Sequence, residues 1–219
     1  MKKVLIVVLA GLFLATFAYA GDDVVPAVKT GSKSLNFTFG GLGVFNLNAT
    51  GPNAGLGLSY FLSSDAAVRA GLQLGLATTS TPAPGTGGTD GSTSGFSVGL
   101  SADYLMFMNA GRVRPYYGAG FQFLTSTSDV KTAVAQGGTQ VETKGGTPTT
   151  FGLAGFMGAE FFIYPELSLS AEYSLTLISL TSHSDLVSTS GVTSTTVKQG
   201  SSLNVLGFNA AGATLHIYF

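Results

Sequence analysis

Ala211-Gly212-Ala213-Thr214-Leu215-His216-Ile217-Tyr218-Phe219 closes the sequence, and its reading decides the fold. Ala211, Ala213, Leu215, Ile217 and Phe219 occupy every second position, with Gly212, Thr214, His216 and Tyr218 between them. A period of two places these sets on opposite faces of one strand. A strand that is apolar on one face must pair along both edges or have them covered. The rest of the chain therefore has to supply neighbours.

Working outward, the same alternation recurs seven more times. Strand segments are expected at about 34–46, 54–62, 66–78, 95–107, 113–125, 150–163, 167–180 and 203–219. In the third, Val68, Ala70, Leu72, Leu74 and Leu76 face one way and Arg69, Gly71, Gln73 and Gly75 the other. Each segment is long enough to cross a bilayer at a tilt. The links after the second, fourth and sixth are short turns, such as Ser63-Ser64-Asp65 and Tyr164-Pro165-Glu166. Those after the third, fifth and seventh (Thr79–Ser94, Ser126–Pro148, Thr181–Ser201) are long, polar and of low complexity, and read as mobile loops. Short turns on one side and long loops on the other is the asymmetry of outer-membrane barrels.

Composition agrees. Charged residues are 10% of the chain against about 25% in a soluble domain. Glycine is 31 of 219 residues, roughly twice the usual share. Past the first twenty residues no apolar run approaches a spanning helix, so a membrane could be crossed only by a closed set of strands. Lys2 and Lys3, the uncharged run Val4–Phe17 and the A-x-A site Ala18-Tyr19-Ala20 read as a signal peptide over 1–20. Residues 21–33 read as an unpaired periplasmic lead, and 34–219 as a transmembrane β-barrel domain in the outer membrane. Loss of Lys2 and Lys3 leaves 8 basic against 11 acidic residues, a net charge of −3. That excludes a nucleic-acid surface. With no cysteine there is neither a disulfide framework nor a lipid-modified cysteine at the cleavage site.

The runs Pro115-Tyr116-Tyr117-Gly118-Ala119-Gly120, Gly155-Phe156-Met157-Gly158-Ala159-Glu160 and Leu167-Ser168-Leu169-Ser170-Ala171-Glu172-Tyr173 resemble the small eight-stranded outer-membrane β-barrel family, the OmpA/OmpX/OmpW-like proteins. The resemblance implies an all-β, eight-stranded antiparallel up-and-down barrel. It also implies that Leu215, Ile217 and the terminal Phe219 serve as the signal to the barrel-assembly machinery. Two departures stand out: no peptidoglycan-binding segment is expected after the barrel, and no tryptophan is present. An interfacial girdle would rest on Tyr60, Tyr104, Tyr117, Tyr164 and Tyr173.

The small and polar face should point into a tube just wide enough to be filled by side chains or to hold one small ligand. Six inward ionisable residues fall in its periplasmic half: Arg69, Asp103, Arg114, Glu160, Glu172 and His216. Opposite charges in a narrow lumen persist only when paired. The expectation is a salt-bridge cluster of both arginines with the three carboxylates, filling the lower lumen; a gate or ligand-polarising site is the alternative. Phe61 and Phe156 are expected inward in the glycine-lined upper lumen. His183-Ser184-Asp185 is too local to be a catalytic triad, and His216 lacks an evident nucleophile. Two histidines and no cysteine argue against a transition-metal site. Neither metal nor cofactor is expected, nor an enzyme. The expected role is structural or surface-interacting, with outer-membrane lipid as surroundings and the loops' partners open. A narrow channel for small or hydrophobic molecules is the alternative, and a lipid-modifying enzyme the third reading.

Overall fold

The computed structural model describes residues 24–40, 54–108 and 111–219. It contains eleven strands and no helix among the described residues. They are β1 (Lys33–Gly40), β2 (Ala54–Phe61), β3 (Ala66–Thr81), β4 (Gly91–Phe107), β5 (Val113–Lys131), β6 (Val141–Gly145), β7 (Pro148–Tyr164), β8 (Leu167–His183), β9 (Leu186–Ser190), β10 (Thr193–Val197) and β11 (Ser201–Tyr218). Eight of them, all but β6, β9 and β10, form an antiparallel ring, closed where β11 pairs with β1 and where β5 pairs directly with β7. The upper part of the expected first strand, 41–46, and the link from it to the second lie outside the described residues.

The register shows why alternation builds a tube. Leu180 pairs with Phe151, and the row continues through Phe123, Leu100, Leu72, Leu56, Phe37 and Leu215 back to β8 at Leu169. Every member is apolar and faces outward. The row returns eleven positions lower on β8, one of which is the bulge residue Leu177, unpaired on the β7 side between Ile178 and Thr176. A stagger of ten over eight strands, at about 3.3 Å rise and 4.8 Å spacing, inclines the strands by about 40°. The bulge also changes which residues face out: Leu175 and Leu177 are followed by Ile178 and Leu180. Beside it on β11, Leu206 takes a left-handed φ of 57°. Tyr60, Tyr104, Tyr117 and Tyr164 are exposed on the outer face near the turn end, where a girdle was expected.

The three remaining strands correct the loop reading. β3 and β4 stay paired out to Thr81 and Gly91, so the first long link shrinks to 82–90. That link is tied down: Thr89 and Val134 exchange backbone hydrogen bonds at 2.9 Å, and Gln140 Nε2 donates to the Asp90 carbonyl at 2.9 Å. β6 adds to the top of β5, β9 to β6 and β10 to β9, so the second and third links form a sheet rising from the barrel wall. Threonine and valine suit strands, and Gly191, at a φ of 59°, opens the two-residue β9–β10 turn. Glu142 on β6 lies 3.2 Å from Lys144 Nζ and 3.4 Å from Lys131 Nζ. Hydrogen bonds from Lys144 and then Lys131 hold its carboxyl below the usual carboxylate range. Since the folded value is the lower one, this pairing stabilises the sheet above the unfolded carboxylate value and fades as pH falls through the lowered one. An NMR titration should place the Glu142 midpoint below that of a model peptide, and K144A should move it back up.

Candidate functional site: the interior at the turn end

Inward side chains at the end carrying the short turns stack in two levels. The lower is aromatic. Phe61, Phe107, Tyr116, Phe162 and Tyr218 pack with Ala67 and Leu105, their rings 5.3–5.8 Å apart in successive tilted pairs. Phe61 thus belongs at the bottom, not in the upper lumen as expected, because β2 runs downward and ends there. These rings occupy inward positions in a stretch where polar residues were anticipated.

Arg114 is buried within this level. Its guanidinium lies over Phe107 at 4.4 Å and Phe61 at 5.7 Å, and Nη2 donates to the Ser64 carbonyl. Arg114 and Glu160 are direct register partners on β5 and β7. Glu160 is 1% exposed and accepts hydrogen bonds from Ser168 and Tyr218. The strand start places Arg114 here: β5 begins at Val113, so its second residue enters the lumen at the rim.

Above lies the second level. Arg69 on β3 faces its register partner Asp103 on β4 and donates from Nε to Oδ2 at 2.8 Å. Its other nitrogens cross the lumen to Glu172 on β8, Nη1 to Oε2 at 2.7 Å and Nη2 to Oε1 at 3.1 Å. This two-pronged fork fits a carboxylate well. Tyr116 Oη donates to Glu172 at 2.9 Å, and Phe156 lies beneath the guanidinium at 5.2 Å. Of the expected five-member cluster, the structure therefore joins Arg69 to Asp103 and Glu172. It sets Arg114 beside Glu160 one level lower.

His216 belongs to a neutral network. Its Nδ1 meets Asn36 Oδ1 at 2.9 Å and its Nε2 meets Ser170 Oγ at 2.8 Å. Asn36 Nδ2 donates to Ser59 Oγ at 2.7 Å, and Ser34 Oγ donates to Asn36 Oδ1 at 2.8 Å. Because an amide oxygen only accepts, Nδ1 carries a proton; in the neutral ring Nε2 then accepts from Ser170. Sequence reasoning found no partner for His216, since Ser170 and Asn36 are 46 and 180 residues away. Both ladder neighbours of β11 were needed to find them. Ser170–His216–Asn36 has the connectivity of a hydrolase relay, but Ser170 is 2% exposed and the next inward residues around it are Glu160 and Glu172. Two carboxylates oppose the negative oxygen that acyl transfer would create. Leu215, Ile217 and Phe219 point outward on the final strand, Phe219 exchanging backbone hydrogen bonds with Lys33 at 2.9 and 3.0 Å. No group of three or more histidine, cysteine or carboxylate side chains among the described residues could hold a metal.

Two solved structures are similar in outline. The N-terminal beta-barrel domain of Pseudomonas aeruginosa OprF shares 11% identity over 87% of this chain and 98% of that one, with a TM-score of 0.42. Ail, the attachment invasion locus protein of Yersinia pestis, shares 16% over 88% of this chain and all of that one, with a TM-score of 0.40. No match was found among curated proteins. The family model described as outer membrane protein beta-barrel domain matches residues 5–205. With that match over a closed ring of eight strands, the chain belongs to the outer membrane protein beta-barrel domain family.

Proposed function

We propose that this integral outer-membrane barrel protein has a structural and surface-interacting role, with its lumen closed by its own side chains. The observation that carries the reading is the Arg69–Asp103–Glu172 fork spanning the tube above a level of buried aromatic rings. Such a crossing leaves little room for a solute and holds opposite walls together. The turn end would face the periplasm. The sheet formed by β6, β9 and β10 would stand on the cell surface, offering Thr193–Val197 and the loop 82–90 to partners. Residues 1–20 would be removed as the export signal, and the final strand would be read by the assembly machinery. The protein would act without metal, cofactor or catalysis.

Purified protein in a planar bilayer should give no stepwise single-channel current. Steady current steps would replace this reading with the narrow channel. One observation favours that second reading: Gln73 points inward from β3 yet is exposed, so solvent reaches the lumen above the charged level. The enzyme reading predicts altered lipids in an overexpressing envelope, and an unchanged lipid profile is expected.

A further inference from the structure

The expected unpaired lead is instead docked across the turn-end mouth. Val24 and Val28 pack against the aromatic level from below, while Val25 and Ala27 face away. The Ala27 amide donates to the Pro165 carbonyl in the β7–β8 turn at 3.0 Å, and Gly31 donates to the Phe61 carbonyl at 2.8 Å. The lead thus runs from the start of β1 to a turn on the neighbouring wall. Lys29 N bonds to Ser32 Oγ at 3.0 Å, which folds the chain just before β1.

We infer that residues 24–31 are a hinged lid that controls access to the lumen from the turn end. Three features separate this segment from a fixed strand. First, among the described residues its tie to Pro165 is a single backbone bond, whereas each ring strand is held by a ladder of paired residues. Second, its two valine anchors are only half-buried. Segments with so few ties open at far lower cost than the sheet they rest on. Third, the hinge and the room to move are both present. Gly31 has a φ of 85° with nothing within 4 Å of where a Cβ would stand. Beside it lies a cavity of about 380 Å³ lined by Lys29, Thr30, Ser32, Glu166, Tyr218 and Phe219. Closed, the lid covers the aromatic level; lifted, it opens that level to the periplasmic side.

The chain has no cysteine, so a single introduced thiol reports access cleanly. Ala67, at 0% exposure within the aromatic level, is the place for it. In nanodiscs, full-length A67C should react with a charged maleimide slowly. Adding V24S/V28S should raise the rate by about tenfold or more while the heat-modifiable gel shift stays that of a folded barrel. Should the double serine variant fail to fold, G31V decides: it strains the hinge without touching the aromatic level. An intact lid that labels as fast as the opened one, or a folded opened variant that labels as slowly as the intact one, overturns the inference. Conductance tests the closed lumen and thiol access tests the lid, so either can fail alone.

Discussion

R69M is expected to lower the unfolding free energy of the barrel by about 3–5 kcal/mol, the range for removing one partner of a buried ion pair. Arg69 is the shared cation for two carboxylates, and the side chain of Asp103 is 1% exposed. Methionine keeps most of the stem volume but leaves Asp103 and Glu172 in a narrow tube with no cation between them. The wall itself is untouched, so the loss should appear in denaturant unfolding in lipid, read from the heat-modifiable shift. The triple variant R69M/D103N/E172Q removes the stranded charges and should recover a large part of the loss. An R69M barrel as stable as the parent would show that the fork contributes nothing, and the closed-lumen reading would lose its main support.

Gly120→Ala should produce the next largest effect. A Cβ there would overlap Asp103 Oδ1 and stand 2.6 Å from the Ala102 carbonyl oxygen and 2.8 Å from Asp103 Cα. Two of those three atoms are backbone in the adjoining strand, so relief requires shifting β4 or dislodging Asp103 from Arg69. Overpacking of this kind costs about 1–3 kcal/mol before the ion pair is disturbed. Oδ1 of Asp103 is buried without a hydrogen-bond partner among the described residues, so no hydrogen bond would hold it against displacement by the added methyl. Gly158 plays the same part opposite Tyr116, whose Cζ would stand 2.7 Å from an added Cβ. Gly200→Ala, with open space around it, is the control and should leave folded yield and unfolding midpoint unchanged.

The ring was readable in the sequence because lipid on one side and a narrow lumen on the other impose a strict period of two. Phe96, Leu100, Tyr104 and Met106 on β4 and Tyr117, Phe121 and Phe123 on β5 face outward as the pattern demands. What escaped detection was whatever that period does not encode. The bulge at Leu177 moves one residue out of step, and nothing in Leu175-Thr176-Leu177-Ile178 announces it. The surface strands β6, β9 and β10 carry water on both faces, so their threonines and serines do not alternate with anything; Gly191 between two short β-branched runs was the available clue. In the interior, Arg69 with Asp103 follows from neighbouring strands in register. Arg69 with Glu172 does not, because reaching across the tube depends on a tilt fixed only when the ring closes.

That β1 and β11 are neighbours means the first and last strands of the ring finish the tube together. No partial product can hide its raw edges: without the closing strand, β1 and β8 would each present a row of unanswered amides and carbonyls to oil, which hydrocarbon does not tolerate. Stable insertion would therefore need β11, the last strand of the ring, and a barrel truncated before it is expected to stay out of the bilayer.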